Sequence, residues 1–148
     1  MKKSILVTIL AMLLFSCSSD ESKMKESITN KIKEHLKNPD SFEFVSMEIK
    51  SKISLDTIAK RVNLKNINEF RQLITESDTD ENKEFLTRLQ KEYDFTKVYK
   101  GDKNEAEYYV TFVAKGTNSY GAIIQSTYEA QVLNDENKTT LSVTEIEK

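Results

Sequence analysis

The chain has 148 residues, of which 31% are charged and 38% are hydrophobic, and its formal net charge is −2. This length suits one domain with a hydrophobic core and is short for two. Basic and acidic residues are spread along the chain, which argues against a nucleic-acid-binding surface. The single cysteine excludes an internal disulfide. We therefore expect one domain that is stabilised by packing alone.

The first sixteen residues have the pattern of a secretory signal. Lys2 and Lys3 form a positive start, and an apolar run interrupted only by Thr8 extends over residues 5–15. A membrane-spanning helix needs roughly 20 apolar residues, so this run is too short to remain as a span. We expect residues 1–16 to be removed. Without Lys2 and Lys3, the 22 basic residues fall to 20 against 24 acidic ones, which gives a net charge of −4.

The only cysteine of the chain directly follows this apolar run. Leu14-Phe15-Ser16-Cys17 resembles the lipobox of bacterial lipoproteins, although Phe15 stands where that motif more often has a small residue. The resemblance implies cleavage before Cys17, a diacylglycerol on its sulfur and an acyl group on its new amine. Several acyl chains on one residue anchor a protein firmly to a membrane. The alternative is an ordinary secreted protein with a free thiol.

Residues 17–23 are expected to form a lipidated, flexible tether, because the stretch after Cys17 is polar. The serine-rich stretch with Asp20 and Glu21 resembles the export signals of Bacteroidetes lipoproteins, and Ser18 after the cysteine resembles outer-membrane sorting. The resemblance implies an outer-membrane lipoprotein of the cell envelope, with its periplasmic or surface orientation left open. A plain solvated linker explains the same residues equally well.

Residues 24–148 are expected to form a single α+β domain. Its first element is an amphipathic helix, in which apolar residues recur at every fourth position with charged residues between them. Asn38-Pro39 should end this helix, because proline disfavours the helical conformation in the residue before it. His35 stands alone near the helix end, and we interpret it as a structural residue rather than a metal ligand. The apolar positions of the helix are Met24, Ile28, Ile32 and Leu36.

A strand follows, with a break in its alternation. The parity of the apolar positions shifts between Phe44 and Met47, which predicts a β-bulge around Val45.

Two short motifs resemble a family of small exported bacterial proteins without an established activity. Leu36-Lys37-Asn38-Pro39-Asp40-Ser41-Phe42-Glu43-Phe44 resembles their helix-end motif Leu-Lys-Asp-Pro-Asp-Ser-Ala-x-Phe, although Phe42 replaces the usual alanine. Asn118-Ser119-Tyr120-Gly121 resembles their later Asn-Ser-Tyr/Phe-Gly, but the Cys-Gly that often precedes it is missing. The resemblance concerns the fold and implies no activity.

Residues 56–93 are expected to be a helical insertion, with Asp78 or Thr79 as an N-cap of its second part. The acidic stretch around this cap lacks the glycine and the final glutamate of an EF-hand loop, since Lys83 and Leu89 occupy those positions. We therefore expect no metal and no cofactor. Asp56-Thr57-Ile58 resembles a short O-glycosylation site of exported Bacteroidetes proteins.

The C-terminal part alternates apolar and polar residues with period two, which predicts an antiparallel three-stranded meander. The apolar residues of the first two strands lie on one face only if the loop between them contains an odd number of residues. A three-residue turn that ends in a left-handed Gly121 would meet this condition. The last strand should carry Leu141 and Val143 toward the core after an even loop of residues 135–138. The fold class is thus α+β, with the N-terminal helix packed on a sheet of about four strands.

The other face of this sheet is mixed in character. It presents Tyr109, Val113 and Ile123 among polar residues and forms a possible partner-binding surface, unless solvent or the inserted helices cover it.

The sequence contains no arrangement of residues typical of a nucleophilic or histidine-dependent enzyme. We expect a membrane-anchored binding or structural module, not an enzyme, whose partners are the membrane through Cys17 and an envelope protein or glycan. Two alternatives remain: an inhibitor or immunity-type envelope protein, and a hydrolase that uses paired carboxylates, which the sequence cannot place across one cleft.

Overall fold

The computed structural model describes residues 20–34, 36, 38–74, 79–118 and 120–146. Over these residues the fold is α+β, with a four-stranded antiparallel sheet in the order β1-β2-β3-β4. The predicted signal peptide and Cys17 lie outside the described part of the chain, and within that part no helix has the length and apolar character that crossing a membrane requires. The elements are α1 (20–33), β1 (Glu43–Ile53), α2 (Leu55–Arg61), α3 (Leu64–Ile74), α4 (Asp80–Val98), β2 (Glu107–Thr117), β3 (Ile123–Leu133) and β4 (Thr140–Glu145), with one 3-10 turn at Pro39–Ser41.

Helix α1 packs its apolar stripe on one face of the sheet, as its four-residue periodicity predicts. Met24, Ile28 and Ile32 are buried and form the first core with the sheet residues that point toward the helix. The helix ends at Lys33, before the predicted stop at Asn38-Pro39, and Leu36 packs on the core from an irregular segment. His35 lies outside the described residues. The sheet residues of this core are Tyr108, Val110, Phe112, Ala114, Ala130 and Val132.

The same helix includes residues 20–23, which we expected to be a flexible tether. Asp20 forms an ion pair with Lys138 at 2.9 Å, and Lys23 Nζ donates to the Glu136 carbonyl at 3.0 Å. These contacts join the start of α1 to the loop between β3 and β4. The helix therefore extends to residue 20 at least, because side chains at its start find partners elsewhere in the domain.

The pairing of β1 with β2 confirms the predicted bulge. The register shifts between Phe44 and Ser46, which leaves Val45 unpaired, and a second shift between Ile49 and Ser51 was not predicted.

The hairpin between β2 and β3 has the predicted parity but not the predicted length. Its loop contains the five residues 118–122, and Gly121 has the expected left-handed conformation with φ of +80°. The three-residue turn is wrong because Asn118 organises a wider loop: its Oδ1 accepts hydrogen bonds from the backbone N–H groups of Tyr120 and Ala122, both at 3.0 Å.

Strand β4 contains a bulge that overturns part of the predicted pattern. Gln131 pairs with Ser142 and Val132 pairs with Thr140, so Leu141 is an extra residue on β4. Val143 packs toward the first core as expected, but Leu141 packs into a second core instead. The loop that precedes β4 contains the six residues 134–139, an even number as required but longer than predicted.

Helices α2, α3 and α4 form the predicted helical insertion and cover one end of the opposite sheet face. The insertion extends to Val98 rather than residue 93. Thr79 is the N-cap of α4, and its side chain accepts a hydrogen bond from the Asn82 N–H at 3.2 Å. Asp78 lies outside the described residues. The second core contains Ile58, Val62, Ile67, Leu89, Phe95, Ala106, Leu133 and Leu141.

Candidate functional site

The residues of the predicted partner-binding surface share one sheet face but do not form one patch. Tyr109 and Val113 are half-buried, and Ile123 is 76% exposed at the end of the hairpin. Ile123 pairs with Thr117, four residues along β2 from Val113, and Val113 is four residues from Tyr109. At about 3.4 Å per residue, each of these steps is about 14 Å long. The three side chains are therefore too far apart to grip one small ligand together.

The helical layer places a group of charged side chains against the other end of this face. Glu92 of α4 and Glu107 of β2 are almost completely buried, and Arg61 of α2 binds both. Arg61 Nη2 lies 2.9 Å from Glu92 Oε2 and 2.6 Å from Glu107 Oε2. Gln131 Nε2 donates to Glu92 Oε1 at 3.1 Å and to Glu107 Oε1 at 2.9 Å. The side chains of Arg61 and Gln131 thus each bond to both carboxylates.

Burial dominates the electrostatics of this group. Desolvation raises the pKa of Glu92, and repulsion from Glu107 adds to this shift, while Arg61 opposes it. Desolvation lowers the pKa of Arg61, but the attraction of Glu107 and Glu92 outweighs it and leaves that pKa raised. Arg61 is the cation in contact with both carboxylates, and the charge of Arg88 one turn earlier on α4 also opposes the shift of Glu92.

This carboxylate pair does not resemble a hydrolytic site. Each oxygen of Glu92 and Glu107 already accepts a hydrogen bond from Arg61 or Gln131. Neither acid lines any of the three surface cavities beside β4, along α1 and next to Tyr108. The geometry therefore favours a structural role, in which the pair joins α2 and α4 to the sheet. Nothing in the sequence pattern indicates this group, because its members lie 15 to 70 residues apart along the chain.

The largest of these three cavities, about 640 Å³, is a cleft along the edge strand β4. The edge of β4 forms its floor, α1 contributes Lys31 to one wall, and α3 and α4 form the other wall. This volume is within the range that binding pockets usually have. The residues that line the cleft are Lys31, Phe70, Glu81, Asn82, Glu84, Phe85, Arg88, Leu141, Ser142, Val143 and Thr144.

Arg88 is the unusual residue of this cleft. Its guanidinium carbon lies 4.7 Å from the centre of the Phe85 ring, which packs edge to face on Phe70 with 4.6 Å between ring centres. The Nε of Arg88 is buried, and no described residue accepts a hydrogen bond from it. Buried donors almost always have partners in native structures. Arg88 therefore gives the cleft a cation with an unused hydrogen-bond donor.

An ion pair between the two walls crosses the cleft. Lys31 Nζ of α1 lies 3.0 Å from Glu84 Oε1 of α4 and 3.2 Å from Glu34 Oε2. Burial lowers the pKa of Lys31, but its hydrogen bonds to Glu84 and Glu34 outweigh that effect and raise it. Lys31 therefore remains charged near neutral pH.

Sequence reasoning missed this cleft altogether. The spacing of Phe85 and Arg88 puts them on one face of a helix, which is a weak signal by itself. The placement of that helix beside β4 follows only from the tertiary fold.

The remaining predicted sites have plain structural settings. Asp56 and Thr57 are exposed in the first turn of α2, whereas Ile58 is fully buried, so the glycosylation motif is only partly accessible and stays a prediction. Among the described residues, no group of three or more histidine, cysteine, aspartate or glutamate side chains is arranged to hold a metal ion.

No protein-family model, curated protein or solved structure matches this chain. The resemblance to lipoproteins and to the family of small exported proteins accordingly stays a prediction that rests on the motifs themselves.

Proposed function

We propose that the mature chain is a lipid-anchored protein of the cell envelope that acts by binding a partner and not by catalysis. The observation that supports this proposal is the contrast between its two polar sites. The carboxylates of Glu92 and Glu107 have all their oxygens bonded, whereas the cleft beside β4 is open and contains Arg88 with an unused donor. The first arrangement favours stability, and the second favours recognition.

The membrane part of the proposal depends on Leu14-Phe15-Ser16-Cys17. A lipid on Cys17 would concentrate the domain near envelope partners, which helps a weak binder without any new contact. An inhibitor or immunity-type protein would be one form of such a binder. Glu92 and Glu107 offer no comparable support for a hydrolase.

Labelling tests the anchor first. Cells that express the wild-type chain should incorporate a palmitate analogue into it, and Cys17→Ser should abolish the label and release the protein from the membrane fraction. A wild-type protein that takes up no label and fractionates as soluble would overturn the lipid anchor.

Crosslinking in the native envelope then tests binding. A photoreactive amino acid at Thr144, which is exposed and lines the cleft, should give adducts of defined mass. The same group at Lys65, which is exposed on α3 and does not line the cleft, is the matched control and should give none of these adducts.

Turnover assays provide the opposing outcome. The purified lipoprotein should leave glycan, peptide and ester substrates unchanged. Turnover that is abolished by Glu92→Gln in a variant that still folds would show that the protein is a hydrolase.

A further inference from the structure

The two edge strands of the sheet differ in how well they are protected. An edge strand presents unpaired backbone N–H and C=O groups, and proteins shield such edges with charges and bulges. The edge strand β1 has two register shifts and carries Glu48, Lys50 and Lys52. The edge strand β4 has a single bulge, at Leu141, and its only charged residue is Glu145 at its end; four of its residues form the floor of the cleft. Both edges border a cavity, since Met47 and Ile49 of β1 line the one next to Tyr108, but the uncharged edge of β4 borders the largest of the three.

The register identifies the backbone groups that face the cleft. The Ile146 N–H bonds to the Thr127 carbonyl on β3 at 2.9 Å. In an antiparallel pair the residues that bond to the neighbour alternate with those that do not. Thr144 and Ser142 therefore direct their backbone groups toward β3, while Val143 and Glu145 direct theirs to the open side. An added strand would bond to these two residues.

The wall of the cleft supplies a side-chain recognition element next to this open edge. Phe70 and Phe85 provide an apolar surface, and the Arg88 guanidinium lies over the Phe85 ring. A carboxylate that bonds a guanidinium side-on accepts hydrogen bonds from Nε and one Nη. Such a ligand would satisfy the Nε of Arg88, which no described residue does; because this atom is buried, the side chain must turn toward the cleft to bind it.

We propose that the cleft binds an extended acidic peptide, which pairs with β4 as a fifth strand and places a carboxylate on Arg88. This inference rests on the proposed binding function and specifies its partner. Strand addition to an exposed edge derives affinity from the backbone and specificity from side-chain pockets. Here the backbone groups of Val143 and Glu145 would provide the affinity. Arg88, with Phe70 and Phe85 beside it, would provide the specificity.

A peptide strand that enters the cleft must displace the ion pair between Lys31 and Glu84. This ion pair joins the two walls across the cleft, and Glu84 is more than half exposed. The Lys31 side chain is only 23% exposed, so the strand would displace the exposed partner, Glu84, whose contribution to stability we expect to be modest. Lys31 would keep its contact with Glu34 at 3.2 Å when Glu84 moves away.

The test begins with the native lipoprotein in detergent micelles and a phage library of random ten-residue peptides. Selected peptides should contain an acidic residue next to β-branched or aromatic residues. Each selected peptide is then synthesised with a fluorescent label and titrated against the wild-type protein, Arg88→Gln and the control Arg71→Gln. Arg88→Gln should weaken binding at least about tenfold, the usual cost of losing a hydrogen bond to a charged group. Arg71→Gln, on the exposed surface of α3, should not change it.

A second measurement uses the wild-type protein alone and so does not depend on the folding of a variant. The selected peptide is N-methylated at one backbone position at a time. Methylation should weaken binding at alternate positions only, because every second N–H of an added strand bonds to β4.

Three outcomes would overturn this inference: no peptide is enriched, binding is unaffected by Arg88→Gln, or methylation has no alternating effect. If the selected peptides lose binding to Ile123→Ser and not to Arg88→Gln, the site lies on the sheet face that carries Tyr109, Val113 and Ile123. If crosslinks from Thr144 persist while the peptide results are negative, the binding function stands and only the extended-peptide ligand is wrong. Loss of the crosslinks as well would remove the proposed function itself.

Discussion

Arg61 and Glu107 meet at 2.6 Å across the junction between α2 and β2, and the same guanidinium also binds Glu92. Arg61→Met should therefore leave two buried carboxylates without their cation. Breaking a buried ion pair from one side costs about 3–5 kcal/mol. Because the Arg61 side chain is 34% exposed, we expect a loss of about 3 kcal/mol in the free energy of unfolding, measured by urea denaturation. Arg71→Met, on the exposed surface of α3, is the control, and an equal effect of the two substitutions would contradict this role.

The pH dependence of stability should contain a contribution from Glu92. Its pKa in the folded protein is raised above its ordinary value near 4.5, chiefly by burial. The folded state thus binds this proton more tightly than the unfolded state, and stability is gained as the pH falls through the raised pKa. Relative to Glu92→Gln, the wild-type protein should become more stable between pH 7 and about 4.5. Urea denaturation of both proteins across this range checks the sign, and a difference that is constant or opposite in sign would refute it.

Helix α1 offers a test of the first core. Ile32 is 5% exposed, and Ile32→Asp would bury a carboxylate without a partner. This costs several kcal/mol, a large part of the stability of a small domain. We expect the variant to be unfolded or to lose most of its thermal stability in a circular dichroism melt. Ile123→Asp, at a site that is 76% exposed, should have little effect; a melt in which both variants match the wild type would mean that α1 is misplaced.

The hairpin between β2 and β3 provides a pair of glycines in different conformations. Gly121 has φ of +80°, which an alanine adopts only with strain, although nothing lies within 4 Å of an added Cβ. Gly116 lies in β2, where an added Cβ meets Ser41 Oγ at an ordinary 3.7 Å. Gly121→Ala should lower the free energy of unfolding by about 1 kcal/mol, whereas Gly116→Ala should be neutral or stabilising. Chemical denaturation of the two variants decides between these signs, and the reverse order would contradict the assigned turn.

Local patterns predicted the parts of the fold that depend on local physics. The spacing of Met24, Ile28 and Ile32 predicted which side of α1 is buried, because helical periodicity determines that face. The parity shift near Val45 predicted a bulge, and the parity of the first loop was correct although its length was not. The bulge at Leu141 was missed because a strand of six residues is too short for its alternation to show which apolar residue is extra.

The candidate site was beyond prediction for a different reason. Phe85 and Arg88 border β4 only because α4 packs beside the edge of the sheet, and that arrangement is a property of the whole fold. In the same way, Glu107 has the sequence position of a solvated strand residue until α2 and α4 cover it. Sequence patterns report which residues are buried more reliably than they report which distant residues meet.

The ion pair between Asp20 and Lys138 limits how far the domain could stand from a membrane. If Cys17 carries the lipid, only Ser18 and Ser19 separate the acylated residue from a helix that is joined to the β3–β4 loop. Three residues of chain span at most about 11 Å. The β3–β4 loop would then stand at headgroup level, and α1, about 21 Å long, would lead away from it toward the hairpin. The domain could then move only a short distance from the membrane, so a partner would have to reach the bilayer surface to bind it.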